Sequence, residues 1–332
     1  MKKIISVLLS IFLIFGALAM LGGCGDSSRS DKLTIVTTIF PEYDWVREIM
    51  GDKAADADIT MLLDNGVDLH SYQPTAADII KISECDMFIY VGGESDGWVE
   101  GALANATNKD MVVINLLEVL GDDIVKEEEI VPGMEHEYHD HEDEGEDHDH
   151  DHTHADDEHV WLSLKNAKLL CSHIADKLGT IDPDNKDTYD ENLAAYLAKL
   201  TELDEKYQSA VDAGAKNTLL FGDRFPFRYL ADDYGLTYYA AFSGCSSESE
   251  ASFETIAFLA GKVDELGLGT VLTIDGVNHD IAETIIASTA SKNAVIRSMN
   301  SMQSTTSADV KNGVTYLSLM ESNLEVLKDA LK

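Results

Sequence analysis

The stretch DPDNKDTYDENLAAYLAKLTELDEKYQSAVDAG, from Asp182 to Gly214, decides how the rest of the chain is organised. Its apolar residues recur at steps of three and four, at Leu193, Tyr196, Leu197, Leu200, Leu203 and Tyr207. This spacing predicts one long helix. At about 1.5 Å per residue, a helix over most of this stretch reaches some 35–40 Å, which is enough to link two lobes as a rod.

Both flanks of this helix alternate strand and helix patterns. Strands are predicted at residues 32–38, 56–63, 87–93 and 110–116 before it, and at 218–222, 236–242, 269–275, 293–296 and 314–318 after it. Helices are predicted between them; one begins near Thr75, which has the spacing of a capping box with Asp78. Such alternation predicts mostly parallel sheets with flanking helices. We therefore expect an α/β fold with two Rossmann-like lobes, residues 33–180 and 214–332, joined by one long rigid helix over residues 181–213.

The first residues, MKKIISVLLSIFLIFGALAMLGGCG, have the organisation of an export signal. Two lysines precede an uncharged run, and small residues come before Cys24. The sequence LGGC at residues 21–24 resembles the bacterial lipobox. That resemblance implies a signal peptide over residues 1–23, lipidation of Cys24 and a short tether over residues 24–32. The expected location is the outer face of the bacterial cytoplasmic membrane, and the alternative is a plain membrane helix.

The chain is strongly acidic, with a formal net charge of −37. Removal of the signal peptide removes two lysines and leaves −39. No basic surface remains to neutralise phosphates, so nucleic-acid binding is excluded as a function class. The charge is concentrated between Asp122 and Glu158, where 18 acidic residues accompany a single Lys126. This block is predicted to be a loop.

Seven of the eleven histidines lie in this acidic loop: His136, His139, His141, His148, His150, His152 and His154. The stretch DHDHDHTH within it cannot bury enough apolar surface to fold alone. One interpretation is a solvated loop without a role. The other is an auxiliary metal loop that raises the local zinc concentration or senses its excess, since His-rich tracts bind several borderline metals with modest selectivity.

Three of the remaining histidines share a topological position. His70, His159 and His279 all lie in strand-to-helix connections, which line the ligand crevice of open α/β sheets. Three imidazoles with a carboxylate or water suit tetrahedral zinc. Acidic residues nearby in sequence can orient the rings: Asp68, Asp157 and Glu158. We therefore expect a metal site in the cleft between the lobes. His173 lies within an ordinary helix pattern and is interpreted as structural.

The cysteines other than Cys24 give no clear signal. Cys85, Cys171 and Cys245 are far apart in sequence and show no CxxC spacing. An exported protein can form disulfides, but three cysteines leave one over. Buried or partly buried free thiols are the favoured interpretation, and the spacing alone assigns none of them to a metal.

Two motifs carry a resemblance to a known family. NGVDLHSYQPTAADIIKISECDMFIYVGG, which contains His70, resembles the first metal-ligand region of the zinc- and manganese-binding lipoproteins of ABC importers, the cluster A-I substrate-binding proteins of the zinc-uptake type. DEHVWLSLKNA, with His159, resembles their second ligand motif. The long helix, YLADDYGL and the closing GVTYLSLMESNLEVLKDAL follow the same plan, from about Lys32 to the end. The acidic His-rich loop before the second motif is typical of zinc-specific members.

This resemblance implies a binding protein and not an enzyme. It would capture Zn²⁺ with high affinity outside the membrane, as an expected monomer held by its lipid anchor. It would then deliver zinc to the permease subunit of an ABC transporter with its ATPase. By the same resemblance, His70 and His159 are metal ligands.

The third ligand position departs from the family pattern. Zinc members usually carry a histidine five residues before the tyrosine that is Tyr229 here, and that place holds Arg224, which cannot ligate a cation. The expected set is His70, His159, His279 and Asp223. Asp275 or water is the alternative fourth ligand, and Asp280 is a weaker choice. Arg224 is expected to pair with a neighbouring acid and hold the lobes together.

Three alternatives stay open at this point. Manganese members favour two histidines with two carboxylates, so the loss of the usual third histidine favours manganese as the bound metal. His279 and the His-rich loop favour zinc. A zinc hydrolase would also use three ligands and an open position, but the sequence holds no HExxH pair. The third alternative is a cell-adhesion protein or a passive zinc store.

Overall fold

The computed structural model describes residues 32–122, 124–135, 156–246, 250–276 and 278–332. The predicted signal peptide, Cys24 and the lipobox, and the seven histidines of the acidic loop lie outside these ranges. Within them, no helix combines the length and the apolar composition that a bilayer-crossing segment needs.

The N-terminal sheet has four parallel strands in the order β2-β1-β3-β4. The strands are β1 (Thr34–Thr37), β2 (Asp58–Met61), β3 (Met87–Tyr90) and β4 (Val112–Asn115). Four helices accompany them: α1 (Phe40–Met50), α2 (Ala76–Glu84), α3 (Val99–Ala104) and α4 (Leu116–Leu120). Short 3₁₀ turns lie at Gly51–Asp56 and Leu69–Ser71. The predicted capping box is confirmed, because the hydroxyl of Thr75 and the carboxylate of Asp78 cap the start of α2 reciprocally.

Two helices connect the first sheet to the second. After a 3₁₀ turn at Val160–Leu162 come α5 (Leu164–Ile181), a further turn at Pro183–Asn185 and α6 (Lys186–Ala213). The 28 residues of α6 correspond to about 42 Å. Its buried residues repeat at helical steps: Tyr189, Tyr196, Leu200, Leu203 and Tyr207. The expected long joining helix is therefore present.

The C-terminal sheet repeats the strand order of the first, β6-β5-β7-β8, again all parallel. The strands are β5 (Thr218–Phe225), β6 (Thr237–Ser243), β7 (Thr270–Ile274) and β8 (Val295–Met299). The helices are α7 (Arg228–Tyr234), α8 (Phe253–Leu266), α9 (Asp280–Ser288), α10 (Ser307–Lys311) and α11 (Tyr316–Ala330). All five residues of β7 are buried, as expected for a central strand of a parallel sheet that is covered on both faces. The predicted fold class, two parallel-sheet α/β lobes, is confirmed.

The strand predicted at residues 314–318 is wrong. Tyr316 begins α11, and Thr315 is its N-cap, with reciprocal hydrogen bonds between Thr315 and Ser318. Val, Thr and Tyr favour strands in isolation, but a Thr at an N-cap satisfies the first free N–H groups of a helix. The helix then buries Met320 and Leu324 at helical spacing, and this packing decides the conformation.

A buried seam fastens the two lobes beside α6. The backbone N–H of Tyr316 donates to Oδ2 of Asp44 at 2.8 Å, and its hydroxyl donates to the carbonyl of Trp161 at 2.6 Å. The indole of Trp161 donates to the carbonyl of Ser301 at 2.9 Å, and Trp45 packs edge-on against Tyr316. These side chains are almost fully buried. Residues Thr34–Lys332 consequently form one compact unit.

Candidate metal site

His70 lies in the connection that follows β2, within the 3₁₀ turn Leu69–Ser71. Asp68 is the cap of this turn, and its Oδ1 accepts the N–H of His70 at 3.0 Å. The ring nitrogen Nδ1 of His70 lies 2.8 Å from Oγ of Ser95 and 3.4 Å from Oε2 of Glu158. We assign the ring proton to Nδ1, because a carboxylate oxygen there can only accept. The lone pair of Nε2 is then free to bind a cation.

His159 is the more deeply placed of the two rings, with no exposed surface. Oδ1 of Asp157 accepts from both the backbone N–H and Nδ1 of His159, each at 2.9 Å, and the ring leans on Trp161. Burial alone would lower the pKa of His159, but the charge and hydrogen bond of Asp157 outweigh it and the pKa is raised. A carboxylate that fixes the tautomer in this way is the usual support of a metal-binding histidine.

The two imidazoles face each other through the nitrogens that these contacts leave free. Nε2 of His70 lies 3.2 Å from Nε2 of His159. With protons on both Nδ1 atoms, the two Nε2 lone pairs meet in a largely buried place, which is unfavourable unless a proton or a metal cation lies between them. Two nitrogens bound to one tetrahedral zinc at about 2.0–2.1 Å lie about 3.3–3.4 Å apart. The observed separation is close to that value.

Cys245 is the third side chain at this place. It lies in the turn after β6, and its sulfur and one ring nitrogen each of His70 and His159 all lie within 4.8 Å of one another. Its backbone N–H donates to Oε1 of Glu128 at 2.7 Å. Burial raises the pKa of the Cys245 thiol, and the carboxylates of Glu128 and Asp157 raise it further. A divalent cation would offset this surplus of negative charge.

Gly244 permits the close approach of this turn. A Cβ atom at residue 244 would lie 3.0 Å from Cε1 of His159 and 3.0 Å from the carbonyl oxygen of Phe225. Any larger residue would therefore push the turn away from the ring. The glycine places Cys245 over the histidine pair.

Arg224 connects the loop of His70 with the loop of Cys245. Its Nη2 donates to Oδ2 of Asp68 at 2.9 Å, and its Nη1 reaches the carbonyl of Ser246 at 3.4 Å. Burial would raise the pKa of Asp68, but the charges of Arg224 and His70 lower it below its usual value. The expectation that Arg224 pairs with an acid across the cleft is confirmed.

Comparisons with known proteins identify the family of this chain. The family model described as zinc-uptake complex component A, periplasmic, matches residues 35–330. The chain belongs to this family.

Two relatives are named for zinc. The zinc-binding lipoprotein AdcA of Streptococcus pneumoniae is 33% identical over 329 residues, which are 99% of this chain and 61% of that protein. The chain thus spans less than two thirds of the length of AdcA. The high-affinity zinc uptake system protein ZnuA of Bacillus subtilis is 30% identical over 328 residues, which cover 97% of both chains.

Two solved structures share the fold. The Zn(II)-bound ZnuA-like domain of Streptococcus pneumoniae AdcA aligns with a TM-score of 0.68 at 31% identity, over 90% of this chain and 99% of that domain. The laminin-binding protein Lmb of Streptococcus agalactiae, a bifunctional protein with adhesin and metal-transporting activity, aligns with a TM-score of 0.70 at 25% identity. That alignment covers 90% of this chain and all of Lmb.

In this member of the zinc-uptake family, the residues predicted for the site divide into two groups. His70 and His159 come together, whereas the cluster does not include His279, Asp223 or Asp275. His279 caps α9 and is near enough to Asp223 to lower its pKa, although burial raises that pKa overall. Ligation by these three residues stays a prediction.

Both carboxylates of that second group are already engaged. The oxygens of Asp223 accept the N–H groups of Arg224 and Ile274 at 2.8 and 3.0 Å. Those of Asp275 accept from Ser301 and Ser304. Either carboxylate could bind a metal ion only through the lone pairs that these hydrogen bonds leave.

Sequence reasoning did not assign Cys245 to the site. The signal was nevertheless present: SGC directly follows a predicted strand, in the same kind of connection that singled out His70. The mutual spacing of the cysteines carries no information when a single thiol joins two histidines from elsewhere in the chain.

Proposed function

We propose that this protein is the extracytoplasmic Zn²⁺-binding component of an ABC importer. It would capture zinc outside the membrane and deliver it to the permease for uptake. The observation that carries the proposal is the facing pair His70 and His159, whose Nε2 atoms lie 3.2 Å apart. Each ring is held by a partner at the opposite nitrogen, so the pair is prepared for a cation in advance of binding.

The donor atoms favour zinc over manganese. Imidazole nitrogen and thiol sulfur suit zinc, whereas manganese prefers carboxylate and carbonyl oxygen. The carboxylates nearest the pair are used as hydrogen-bond acceptors, Asp157 toward His159 and Glu158 toward Ser95. A binding role is favoured over hydrolysis because the sequence holds no HExxH pair that would place a general base beside the ion.

The remaining parts of the proposal concern the surroundings of the protein. A lipid on Cys24 would anchor the monomer to the outer face of the cytoplasmic membrane, close to the permease and its ATPase. Family membership supports a location outside the cytoplasm. The acidic His-rich loop would act as an auxiliary collector of zinc near the cleft.

The first test is a zinc titration against a competing chelator. Wild-type protein should retain one ion tightly, and the double variant His70→Ala/His159→Ala should lose that ion while weak loop binding persists in both. His173→Ala, on α5, is the matched control and should behave as wild type. If the double variant still binds one zinc ion tightly, the tight site does not lie at His70 and His159.

Zinc uptake in cells tests the transport role separately. A strain that lacks the gene should take up less zinc from a medium with little zinc. The wild-type gene should restore uptake, and the gene of the double variant should not. Unchanged uptake after deletion would favour a passive store or an adhesin.

A further inference from the structure

We infer that Cys245, bound as a thiolate, is the third protein ligand of the zinc site and its main determinant of metal selectivity. The inference rests on the proposed function, because it concerns the same cleft. It assigns a sulfur ligand to a site in which the sequence predicted nitrogen and oxygen donors alone.

The position of the thiol is the first argument. The cluster of Cys245 with His70 and His159 brings one possible ligand atom from each residue within 4.8 Å of the others. For a tetrahedral zinc with Zn–N of about 2.0–2.1 Å and Zn–S of about 2.3 Å, each nitrogen lies about 3.6 Å from the sulfur. Binding an ion through all three atoms would therefore draw the sulfur toward the nitrogens by up to about 1.2 Å, which a rotation of one side chain can supply.

The turn is also built to hold the sulfur at this place. Gly244 allows the backbone to pass close to the ring of His159, because a Cβ atom at residue 244 would lie only 3.0 Å from that ring. The N–H of Cys245 is fixed by Glu128 on one side. On the other side Arg224 reaches the carbonyl of Ser246 while it pairs with Asp68, so one guanidinium braces both ligand loops.

The burial of the pair is an independent argument for a cation. His159 is 0% exposed, and its Nε2 lies 3.2 Å from Nε2 of His70, a contact that needs either a proton on one of the two nitrogens or a cation between them. Oε2 of Glu158 is buried 3.4 Å from Nδ1 of His70, so a negative charge lies beside the facing pair. A cation bound between the two Nε2 atoms would satisfy both nitrogens and offset this charge.

Binding exchanges one bond at sulfur for another. The S–H bond of Cys245 breaks, an S–Zn bond forms, and the proton passes to solvent; no electron is transferred. Two neutral imidazoles and one thiolate leave the ion with a net charge of +1, which the carboxylates of Asp157 and Glu158 offset. The fourth position stays open to solvent, and a soft sulfur ligand disfavours manganese.

Cobalt substitution tests the inference directly. The full chain is loaded with Co²⁺, and the near-ultraviolet spectrum is searched for the charge-transfer band from thiolate sulfur to Co²⁺. Residues 136–154 contain no cysteine, so the His-rich loop cannot produce this band. We expect the band in wild type, in Cys24→Ala and in Cys85→Ala, and its loss in Cys245→Ser.

Zinc affinity supplies the second measurement. Cys245→Ser should bind zinc more than about 100-fold more weakly, beyond the 10–100-fold that loss of an outer partner causes. Cys245→His should retain tight binding without the band. Manganese should compete better against Cys245→Ser than against wild type.

The outcomes separate the two proposals. Tight binding of Co²⁺ by wild type without a sulfur band overturns the role of Cys245 and leaves the proposed function intact. If tight binding is then lost in His279→Ala, the third ligand is His279. A band and a tight site that both survive in His70→Ala/His159→Ala would overturn the cleft site itself.

Discussion

The connections after β2 and after β6 occupy the same place in their two sheets, because both sheets have the same strand order. One carries His70 and the other carries Cys245, and the two side chains meet between the lobes. The histidine is held from within its own lobe, by Asp68, Ser95 and Glu158. The cysteine is held by a glycine contact and by residues from other segments, Glu128 among them.

This contrast suggests a division of labour between the lobes. The N-terminal lobe provides a rigid nitrogen pair, of which His159 is completely buried and backed by a carboxylate. The C-terminal lobe provides the turn with Cys245, whose position depends on contacts with other segments of the chain. Loss of a side chain from either region should weaken zinc binding, and changes in the second region should also alter the preference for zinc over manganese.

The largest effect should come from His159→Ala. Its loss removes a ligand and leaves the carboxylate of Asp157 buried without its partner, so zinc affinity should fall by more than about 100-fold. The zinc affinity of His70→Ala should fall by less, because His70 is partly exposed and water can replace it. Calorimetric zinc titration of both variants gives the order. A larger loss in His70→Ala would reverse the proposed ranking.

Asp157→Asn tests the support of the deeper ring. The amide is a weaker acceptor for Nδ1 of His159, so affinity should fall about 10–100-fold. Asp156→Asn, at the exposed neighbouring residue, is the matched control and should stay close to wild type. Equal affinity in the two variants would show that the carboxylate does not orient the ring.

Gly244→Ala should loosen the cysteine side of the site. The added methyl group crowds His159 and the carbonyl of Phe225, and overpacking of this kind costs about 1–3 kcal/mol. If the turn relieves it by moving outward, zinc affinity falls by about tenfold or more. Gly261→Ala, where a Cβ meets open space, is the control. Unchanged affinity with lowered thermal stability would place the strain outside the site.

Arg224→Gln should have a smaller effect. The ion pair with Asp68 is partly exposed, so its loss should cost about 1 kcal/mol, or about fivefold in zinc affinity. The loss should shrink in high salt, because salt screens the pair in wild type. Lys262→Gln removes the surface pair with Glu265 and should leave zinc binding unchanged. A loss that does not depend on salt would point to packing of the side chain instead.

The seam between the lobes should respond to pH without affecting the ligands. Burial raises the pKa of Asp44 to about 7, with a smaller contribution from Glu48, while the hydrogen bond from Tyr316 opposes the shift. A carboxyl whose folded pKa is raised contributes stability at low pH, and this stability is lost as pH rises from about 4 to about 7. The side chain of the Asp44→Asn variant cannot ionise. The difference between its thermal midpoint and that of wild type should therefore increase in favour of the variant from about pH 4 to about pH 7 and stay constant above pH 7. Asp52→Asn, on the surface, should show no such gain.

Much of the architecture could be predicted because it depends on local patterns. The long helix follows from residues such as Tyr196 and Leu200 at helical steps, and the cap of α2 from Thr75 and Asp78. The prediction of His70 as a ligand follows from the general rule that ligands lie at the carboxyl ends of parallel strands. These features need only the sequence around them.

The rest depends on contacts between distant segments. Whether Cys245 reaches the histidines is decided by the absence of a side chain at Gly244 and by Glu128, far away in sequence. Whether Thr315 starts a helix or continues a strand is decided by the burial of Met320 and the residues after it. No local pattern contains either fact.

The seam around Tyr316 also bears on how fast zinc can leave. The lobes cannot swing apart without exposing this tyrosine and Trp161, both of which are completely buried. We therefore expect the residence time of the ion to be set by local opening of the turn at Cys245 and not by a domain motion. A permease that accepts the ion would then have to displace the few residues of this turn, and the rate of zinc release would depend on how strongly it binds them.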